Sequence, residues 1–142
     1  MDELIYAGYD CRLTEEQKDM VSPFWFTIGR AYLFPEDHYP CVIYNERSEA
    51  IGFINLCKWS GDEAYSWSFY IDKDHQGKGY GREAMKLALD FIRTFPCGES
   101  EYCWLSYDMK NEGARALYRS FGFVEQTDVY VEGGEMPAVL KL

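Results

Sequence analysis

The middle of the chain holds a glycine-rich loop that leads directly into a helix. The loop reads Asp72-Lys-Asp-His-Gln-Gly-Lys-Gly-Tyr-Gly81, and the chain continues as Arg82-Glu-Ala-Met-Lys-Leu-Ala-Leu-Asp-Phe-Ile-Arg93. In the second part, apolar residues recur at helical spacing: Ala84, Leu87, Ala88, Phe91 and Ile92. The preceding segment, from about Ala64 to Ile71, has the composition of a strand. The order is therefore strand, glycine loop, helix.

This junction predicts an anion site. Gly77, Gly79 and Gly81 let backbone N–H groups approach a ligand at the positive end of the helix dipole. Four basic side chains gather here in an otherwise acidic chain: Lys73, His75, Lys78 and Arg82. The alternative is that the glycines only make a turn. The spacing fits neither the phosphate loop G-x-x-x-x-G-K-[ST] nor the dinucleotide motif G-x-G-x-x-G.

Before the loop, the sequence predicts two short helices and two strands. Thr14 and Gln17 have the spacing of a capping box, which predicts a helix from Thr14 to Met20. Ser22-Pro23 predicts the cap and first position of a second helix, which ends at Leu33. Strands follow at Cys41 to Tyr44 and Ile51 to Cys57. A weak pattern suggests one further strand within Leu4 to Leu13.

After the loop helix, the sequence predicts a strand at Glu101 to Tyr107 and a helix from Asn111 to Ser120, ended by Gly122. A hairpin closes the chain, with strands at Val124 to Val131 and Met136 to Leu142 joined across Gly133-Gly134. The fold class expected from this order is mixed α/β (α+β). Its sheet is mainly antiparallel and is interrupted by one crossover helix.

Composition and charge limit the classes of function. The chain has 142 residues, of which 47% are hydrophobic and 18% aromatic, and we expect one domain over residues 1–142. Its formal net charge of −10 disfavours nucleic-acid binding and suits a small cationic partner, although many acidic proteins carry such charge only for solubility.

The cysteines and the apolar patterning indicate a compartment. Five cysteines without a C-x-x-C pair suggest neither a disulfide framework nor a metal site, so we expect a reducing environment. We see no secretory signal and no apolar run near the roughly 20 residues that span a bilayer. The expectation is a cytoplasmic protein that does not bind membranes.

Two motifs together resemble the GNAT superfamily of N-acetyltransferases. The first is Gln76-Gly-Lys-Gly-Tyr-Gly81, which is similar to the superfamily signature Q/R-x-x-G-x-G/A. The second is Asn111-Glu-Gly-Ala-Arg-Ala-Leu-Tyr118, followed by Phe121-Gly-Phe123. The resemblance spans about Cys41 to Leu142.

The resemblance implies acetyl-coenzyme A as acetyl donor. Its pyrophosphate would lie on the backbone amides of the loop, and its pantetheine arm would pair with the strand edge and be held by Asn111. The cofactor-binding residues implied are Phe69, Tyr70, Ile71, Gln76, Gly77, Lys78, Gly79, Tyr80, Gly81, Arg82, Asn111 and Tyr118.

Tyr118 stands at the position that the superfamily uses for its general acid. A phenol with an ordinary pKa near 10 can donate a proton to a departing thiolate, although a tyrosine on the inner face of a helix is more often only a core residue. The backbone N–H near Ile71 would polarise the thioester carbonyl. Candidates for the general base are Glu16, Glu63, Asp108, His38 and His75, and the sequence does not choose among them.

The first helices would form the substrate wall, where Glu15, Glu16 and Asp19 lie among aromatic residues. The run Thr14-Glu-Glu-Gln-Lys-Asp-Met-Val-Ser-Pro23 and the closing Gly134-Glu-Met-Pro-Ala-Val-Leu-Lys-Leu142 are similar to bacterial diamine and spermidine/spermine acetyltransferases.

The leading hypothesis is acetylation of a small polyamine. The rivals are another amine (an aminoglycoside, an amino acid or a protein N-terminus) and a non-catalytic acyl-coenzyme A sensor. The exposed aromatic residues and the final strands suggest a homodimer.

Overall fold

The computed structural model describes residues 4–5, 8, 11–58, 64–130 and 133–142. Two helices, α1 (Glu15–Lys18) and α2 (Phe24–Leu33), precede three strands, β1 (His38–Tyr44), β2 (Ala50–Cys57) and β3 (Ala64–Ile71). A 3-10 turn (Lys73–His75) then leads to α3 (Tyr80–Ile92) and β4 (Tyr102–Asp108). The remaining elements are α4 (Glu112–Ser120), β5 (Val124–Glu125) and β6 (Glu135–Lys141).

The strands form one sheet in the order β1-β2-β3-β4-β6-β5. All neighbouring strands are antiparallel except β3 and β4, which are parallel because α3 crosses over between them. The mixed, mainly antiparallel sheet with one crossover helix that the sequence predicts is therefore confirmed.

The parallel pair is very short. β3 and β4 are paired only at Ala64 with Tyr102 and at Tyr65 with Cys103. Beyond these residues the two strands diverge, while β3 stays paired with β2 as far as Ile71. The sheet is thus split along most of the length of β3, from residue 66 to Ile71, and a cleft opens between its two parts.

Apolar side chains of α3 build the main core against the sheet. The buried face of α3 consists of Ala84, Met85, Ala88, Leu89 and Ile92. The sequence places Leu87 and Phe91 on this face, and that is wrong: Leu87 is 68% exposed and Phe91 is 38% exposed. The stripe through Ala84, Ala88 and Ile92 continues through Met85 and Leu89 instead. A second, smaller cluster of Phe24, Phe53 and Tyr70 anchors α2 to the sheet.

Three other sequence predictions need correction. Leu4, Ile5 and Gly8 are helical, and residues 11–14 form no regular element, so the expected amino-terminal strand is not found in these residues. The cap position of α2 is Pro23, without a side-chain hydrogen bond, rather than Ser22. β5 has only two residues, Val124 and Glu125, and no continuous hairpin is found in the described residues on either side of positions 131–132. Among the described residues, no helix is long and apolar enough to cross a membrane.

Candidate active site

The cleft between β3 and β4 has a volume of about 1040 Å³. Its walls come from β3, β4, the glycine loop, the start of α3, α4, and the segment that joins α1 to α2. It is the point where the predicted motif residues meet. Eight of the residues expected to bind the cofactor line it: Phe69, Tyr70, Ile71, Gln76, Gly77, Gly81, Asn111 and Tyr118.

The edge of β3 presents backbone groups to this cleft. The N–H of Asp72 donates to Ile51 O at 2.7 Å, which fixes the alternation of the antiparallel ladder. Even-numbered residues of β3 therefore bond to β2. The N–H and C=O groups of Trp67, Phe69 and Ile71 point the other way, toward the gap. This register turns the peptide groups of Tyr70 toward β2, so Tyr70 contributes a side chain to the cleft rather than an edge hydrogen bond.

The loop offers a row of unpaired backbone donors. Among the described residues, the N–H groups of residues 76–81 have no hydrogen-bond acceptor. Gly77 and Gly79 have positive φ angles of 71° and 93°, and an added Cβ would meet no atom within 4 Å at either position. Since α3 begins at Tyr80, these donors also lie at the positive end of its dipole. The anion site predicted from the glycine spacing thus has the required geometry.

The side chain of Gln76 holds the loop to its surroundings. Its Nε2 donates to Ile71 O at 2.8 Å, and its amide pairs with the amide of Gln17 on α1 at 3.0 Å. A second tie lies nearby, where the N–H of Arg12 donates to Asp72 Oδ2 at 2.6 Å and the N–H of Lys73 donates to Arg12 O at 2.8 Å. The segment before α1 is therefore fixed to the loop that faces the cleft.

Four of the predicted cofactor residues do not lie on the cleft wall of the described structure. They are Lys78, Gly79, Tyr80 and Arg82. Lys78 Nζ donates to Asp74 O at 2.7 Å, and Tyr80 Oη donates to Glu46 at 2.8 Å. Arg82 reaches Ser120 Oγ at 3.0 Å and stacks on Phe121. The side chains of Lys78, Tyr80 and Arg82 are thus engaged with partners other than the cleft wall.

Tyr118 packs across the split between the strands. Its ring centroid lies 6.4 Å from that of Trp67 on β3 and 5.5 Å from that of Tyr107 on β4. Only 8% of the residue is exposed, and burial raises the pKa of its phenol above the ordinary value. The nearby indole N–H of Trp67 opposes a part of this rise. Tyr118 is therefore protonated at neutral pH and can donate a proton into the cleft.

Asn111 begins α4 and faces the cleft. Its Oδ1 accepts the N–H of Ala114 at 3.0 Å, as an N-cap residue does. This bond leaves Nδ2 as the donor end of the side chain. The motif that begins with Asn111 thus sets both the start of α4 and the position of Tyr118 two turns later.

None of the described base candidates lies on the cleft wall. Glu16 is exposed on α1, and Asp108 accepts the N–H of Lys110 at 2.8 Å. His38 is buried at the start of β1, where its Nδ1 lies 2.9 Å from Asn55 Nδ2 and burial lowers its pKa. His75 lies beside the ring of Tyr80. Glu63 lies outside the described residues.

The cleft wall carries charges of both signs. Of the three predicted substrate residues, only Asp19 lines the cleft, whereas Glu15 pairs with Lys18 at 2.6 Å and Glu16 faces solvent. The sequence missed Arg30 on α2 and Glu135 on β6, which both line the cleft. Glu135 accepts a hydrogen bond from Ser106 Oγ across the β4–β6 pair. The sequence signal that could have pointed to Arg30 is its place in the helix predicted from Pro23 to Leu33.

These features can be compared with known proteins. The sequence model of the acetyltransferase (GNAT) family matches residues 8–123 of the chain. The chain belongs to the GNAT acetyltransferase family. This confirms the resemblance inferred from the two motifs at the level of the family. Acetyl-coenzyme A is the acetyl donor of GNAT enzymes, so the expected cofactor is confirmed at the same level.

A curated relative is similar to part of the chain. It is the L-amino acid N-acyltransferase MnaT of Escherichia coli (strain K12), 28% identical over 90 residues. The match covers 61% of this chain and 51% of MnaT, so the chain spans about half the length of the curated relative that it matches.

Solved structures share the fold. yncA of Salmonella typhimurium, solved with its cofactor acetyl-coenzyme A, superposes with a TM-score of 0.64 at 20% identity, covering 85% of this chain and 75% of that one. The spermidine/spermine N-acetyltransferase SpeG of Vibrio cholerae, solved in mutant forms, superposes with a TM-score of 0.68 at 19% identity, covering 99% of this chain and 89% of that one. At these identities the likeness establishes the GNAT fold alone.

Proposed function

We propose that the chain transfers an acetyl group from acetyl-coenzyme A to the primary amine of a small molecule by direct transfer in a ternary complex. One observation carries this proposal. A strand edge with unpaired peptide groups, a loop of unpaired N–H donors and a buried, protonated tyrosine all face one cleft. A non-catalytic sensor would need the first two features but not the third.

The residues present fit acetyl-coenzyme A. The N–H groups of residues 76–81 would hold its pyrophosphate, and the edge groups of Trp67 and Phe69, together with the N–H of Ile71, would hold the pantetheine with Asn111. The C=O of Ile71 already accepts Gln76 Nε2. When bound, the donor supplies an activated thioester. The edge N–H groups also polarise its carbonyl, which is the role of a preorganised donor.

Tyr118 supplies a proton at its Oη. Because burial keeps the phenol protonated, the side chain is ready to neutralise a thiolate as it departs. Glu135 and Asp19 are the described carboxylates on the cleft wall, and each can hold the ammonium group of a substrate. Glu135, fixed by Ser106, is the better-placed acceptor for the proton that the amine must lose before it attacks.

The favoured substrate class is an amino acid with a free α-amino group. Such a zwitterion needs both signs of charge at its site, and the cleft wall offers Arg30 for a carboxylate beside Glu135 and Asp19 for an ammonium group. The name of the relative MnaT, an L-amino acid N-acyltransferase, supports the same class.

A polyamine is the second candidate. The net charge of −10 and the two cleft carboxylates favour a polycation, and a SpeG structure shares the fold. Arg30 argues against it, because a cation beside the site repels ammonium groups. The homodimer stays a prediction, which sedimentation velocity of the purified chain tests.

The test is coenzyme A release by the purified chain with a panel of amines. The deciding pair is an L-amino acid and the amine left when its carboxylate is removed, with spermidine, spermine, putrescine, an aminoglycoside and a peptide as further arms. We expect saturable release with the amino acid and a KM higher by about tenfold to a hundredfold for its decarboxylated partner. Release with polyamines alone would replace the first candidate by the second.

Three variants complete the test. Arg30→Gln should raise the KM for the amino acid but not for the decarboxylated amine, whereas Arg93→Gln, on the exposed end of α3, should change neither. Tyr118→Phe should lower kcat by about a hundredfold and leave the affinity for acetyl-coenzyme A nearly unchanged. Unchanged turnover in Tyr118→Phe would mean that Tyr118 is not the acid.

A further inference from the structure

A buried polar group in the cleft has no hydrogen-bond partner among the described residues. Trp67 lies on β3 with only 8% of its surface exposed, and its indole N–H makes no hydrogen bond within the described residues. A buried donor without an acceptor lowers the stability of the fold, so the presence of tryptophan at this core position calls for a physical reason. Phenylalanine would keep an aromatic ring at this position without this penalty, although it is smaller.

The indole is held in place beside Tyr118. Its ring packs edge-on against Phe123 with centroids 5.8 Å apart, and Phe123 in turn packs against Tyr118 at 5.6 Å. The ring centroids of Trp67 and Tyr118 lie 6.4 Å apart, and the Trp67 N–H lowers a part of the raised Tyr118 pKa because it favours the charged phenolate. Both side chains line the cleft at the split between β3 and β4.

The other titratable groups around Tyr118 do not stabilise a charge on it. Tyr107 on β4 donates its hydroxyl proton to Glu125 at 2.6 Å, so this proton is not available to Tyr118. Burial raises the pKa of the Cys103 thiol on β4, and this group stays neutral. The facing side chains of α3 are apolar. Of the groups that shift the pKa of Tyr118, the Trp67 N–H is the one that favours a negative Tyr118 oxygen.

We propose that Trp67 is a positioning residue for Tyr118, whose indole N–H holds the negative charge that the Tyr118 oxygen acquires when the phenol gives up its proton. This rests on the proposed function. In that step the O–H bond of Tyr118 breaks, its electron pair stays on Oη, and the proton goes to the departing sulfur. The proton that the substrate nitrogen releases later restores the phenol, so Tyr118 gains and loses one proton in each turnover.

The first test measures the phenol and needs no activity. Ultraviolet difference titration of the chain against Tyr118→Phe isolates the ionisation of Tyr118. In Trp67→Phe, titrated against the Trp67→Phe/Tyr118→Phe double variant, we expect the pKa to rise by about one unit, because the donor that favours the phenolate is gone. A tryptophan isostere with sulfur in place of the N–H, introduced at position 67 alone, should give the same rise without changing the packing. An unchanged pKa in both variants would overturn the proposal.

The second test is a double-mutant cycle on turnover. Trp67→Phe should lower kcat about tenfold with little change in the KM for acetyl-coenzyme A, and should cause no further loss in the Tyr118→Phe background. An equal loss in both backgrounds would mean that Trp67 acts only on packing. If Tyr118→Phe keeps full turnover, the acid assignment fails, and the titration still decides whether Trp67 tunes the phenol.

Discussion

Gly79 has a left-handed backbone conformation and open space where a ligand could lie. Its φ of 93° is unfavourable for side chains, and the space above it is open. We predict that Gly79→Asp weakens acetyl-coenzyme A binding by more than about a hundredfold, because it adds negative charge beside the unpaired N–H groups. Isothermal titration calorimetry measures this loss.

The matched control for this prediction is Gly98→Asp. Gly98 has nearly the same φ, 97°, and also has open space around it, but it lies in the turn after α3 and outside the loop of residues 76–81. Both variants carry the same backbone strain and the same added charge. Gly98→Asp should lose stability and keep its affinity for the cofactor. Equal losses of affinity would show that strain, rather than the anion site, explains the effect.

At the scale of elements, α1 is coupled to the glycine loop through Gln17. Its amide pairs with that of Gln76, which in turn is bonded to the end of β3. We predict that Gln17→Leu weakens both acetyl-coenzyme A and the amine by up to about tenfold, since one change loosens two walls of the cleft. Steady-state kinetics with each substrate varied in turn measures both effects. Gln126→Leu, which removes an amide beside β5, is the control and should change neither KM.

The contact between α4 and β5 depends on pH because it includes the carboxylate of Glu125. Arg115 holds this carboxylate at 2.7 and 3.0 Å and Tyr107 donates to it at 2.6 Å, and these bonds lower its pKa from 4.5 to about 2. A carboxyl whose pKa is lowered by folding stabilises the fold above its unfolded pKa. That stabilisation is lost as the pH falls from about 4.5 to about 2.

Glu125→Gln should therefore be less stable than the parent chain at neutral pH, and the difference should shrink as the pH falls through this window. Urea unfolding at a series of pH values measures it. Glu99→Gln, at an exposed position before β4, is the control and should follow the parent curve. A constant gap between Glu125→Gln and the parent at every pH would contradict the linkage.

The strand, loop and helix around Gly77 could be predicted from sequence because the motif is contiguous and its effects are local. The same holds for α4, where Asn111 caps the helix that carries Tyr118. Arg30 and Glu135 could not be predicted in the site, because their place depends on how α2 is rotated and on which strand pairs with β4. The early end of β5 depends likewise on tertiary packing, since Gly133-Gly134 is compatible with a longer hairpin.

At the scale of the whole molecule, two residue pairs of β3 and β4 join the halves of the sheet, so a ligand that fills the cleft should link them. We predict that acetyl-coenzyme A at a hundred times its Kd stabilises the chain by about 2.7 kcal/mol.

Hydrogen exchange, followed by NMR, should slow at the amides of Phe69 and Ile71, which face the gap. It should change little at Ser68 and Tyr70, which bond to β2 without ligand. The nucleotide part of coenzyme A alone should protect the loop amides of residues 76–81 and leave the β3 edge as before. Protection of the even-numbered amides instead would mean that the cofactor does not pair with this edge.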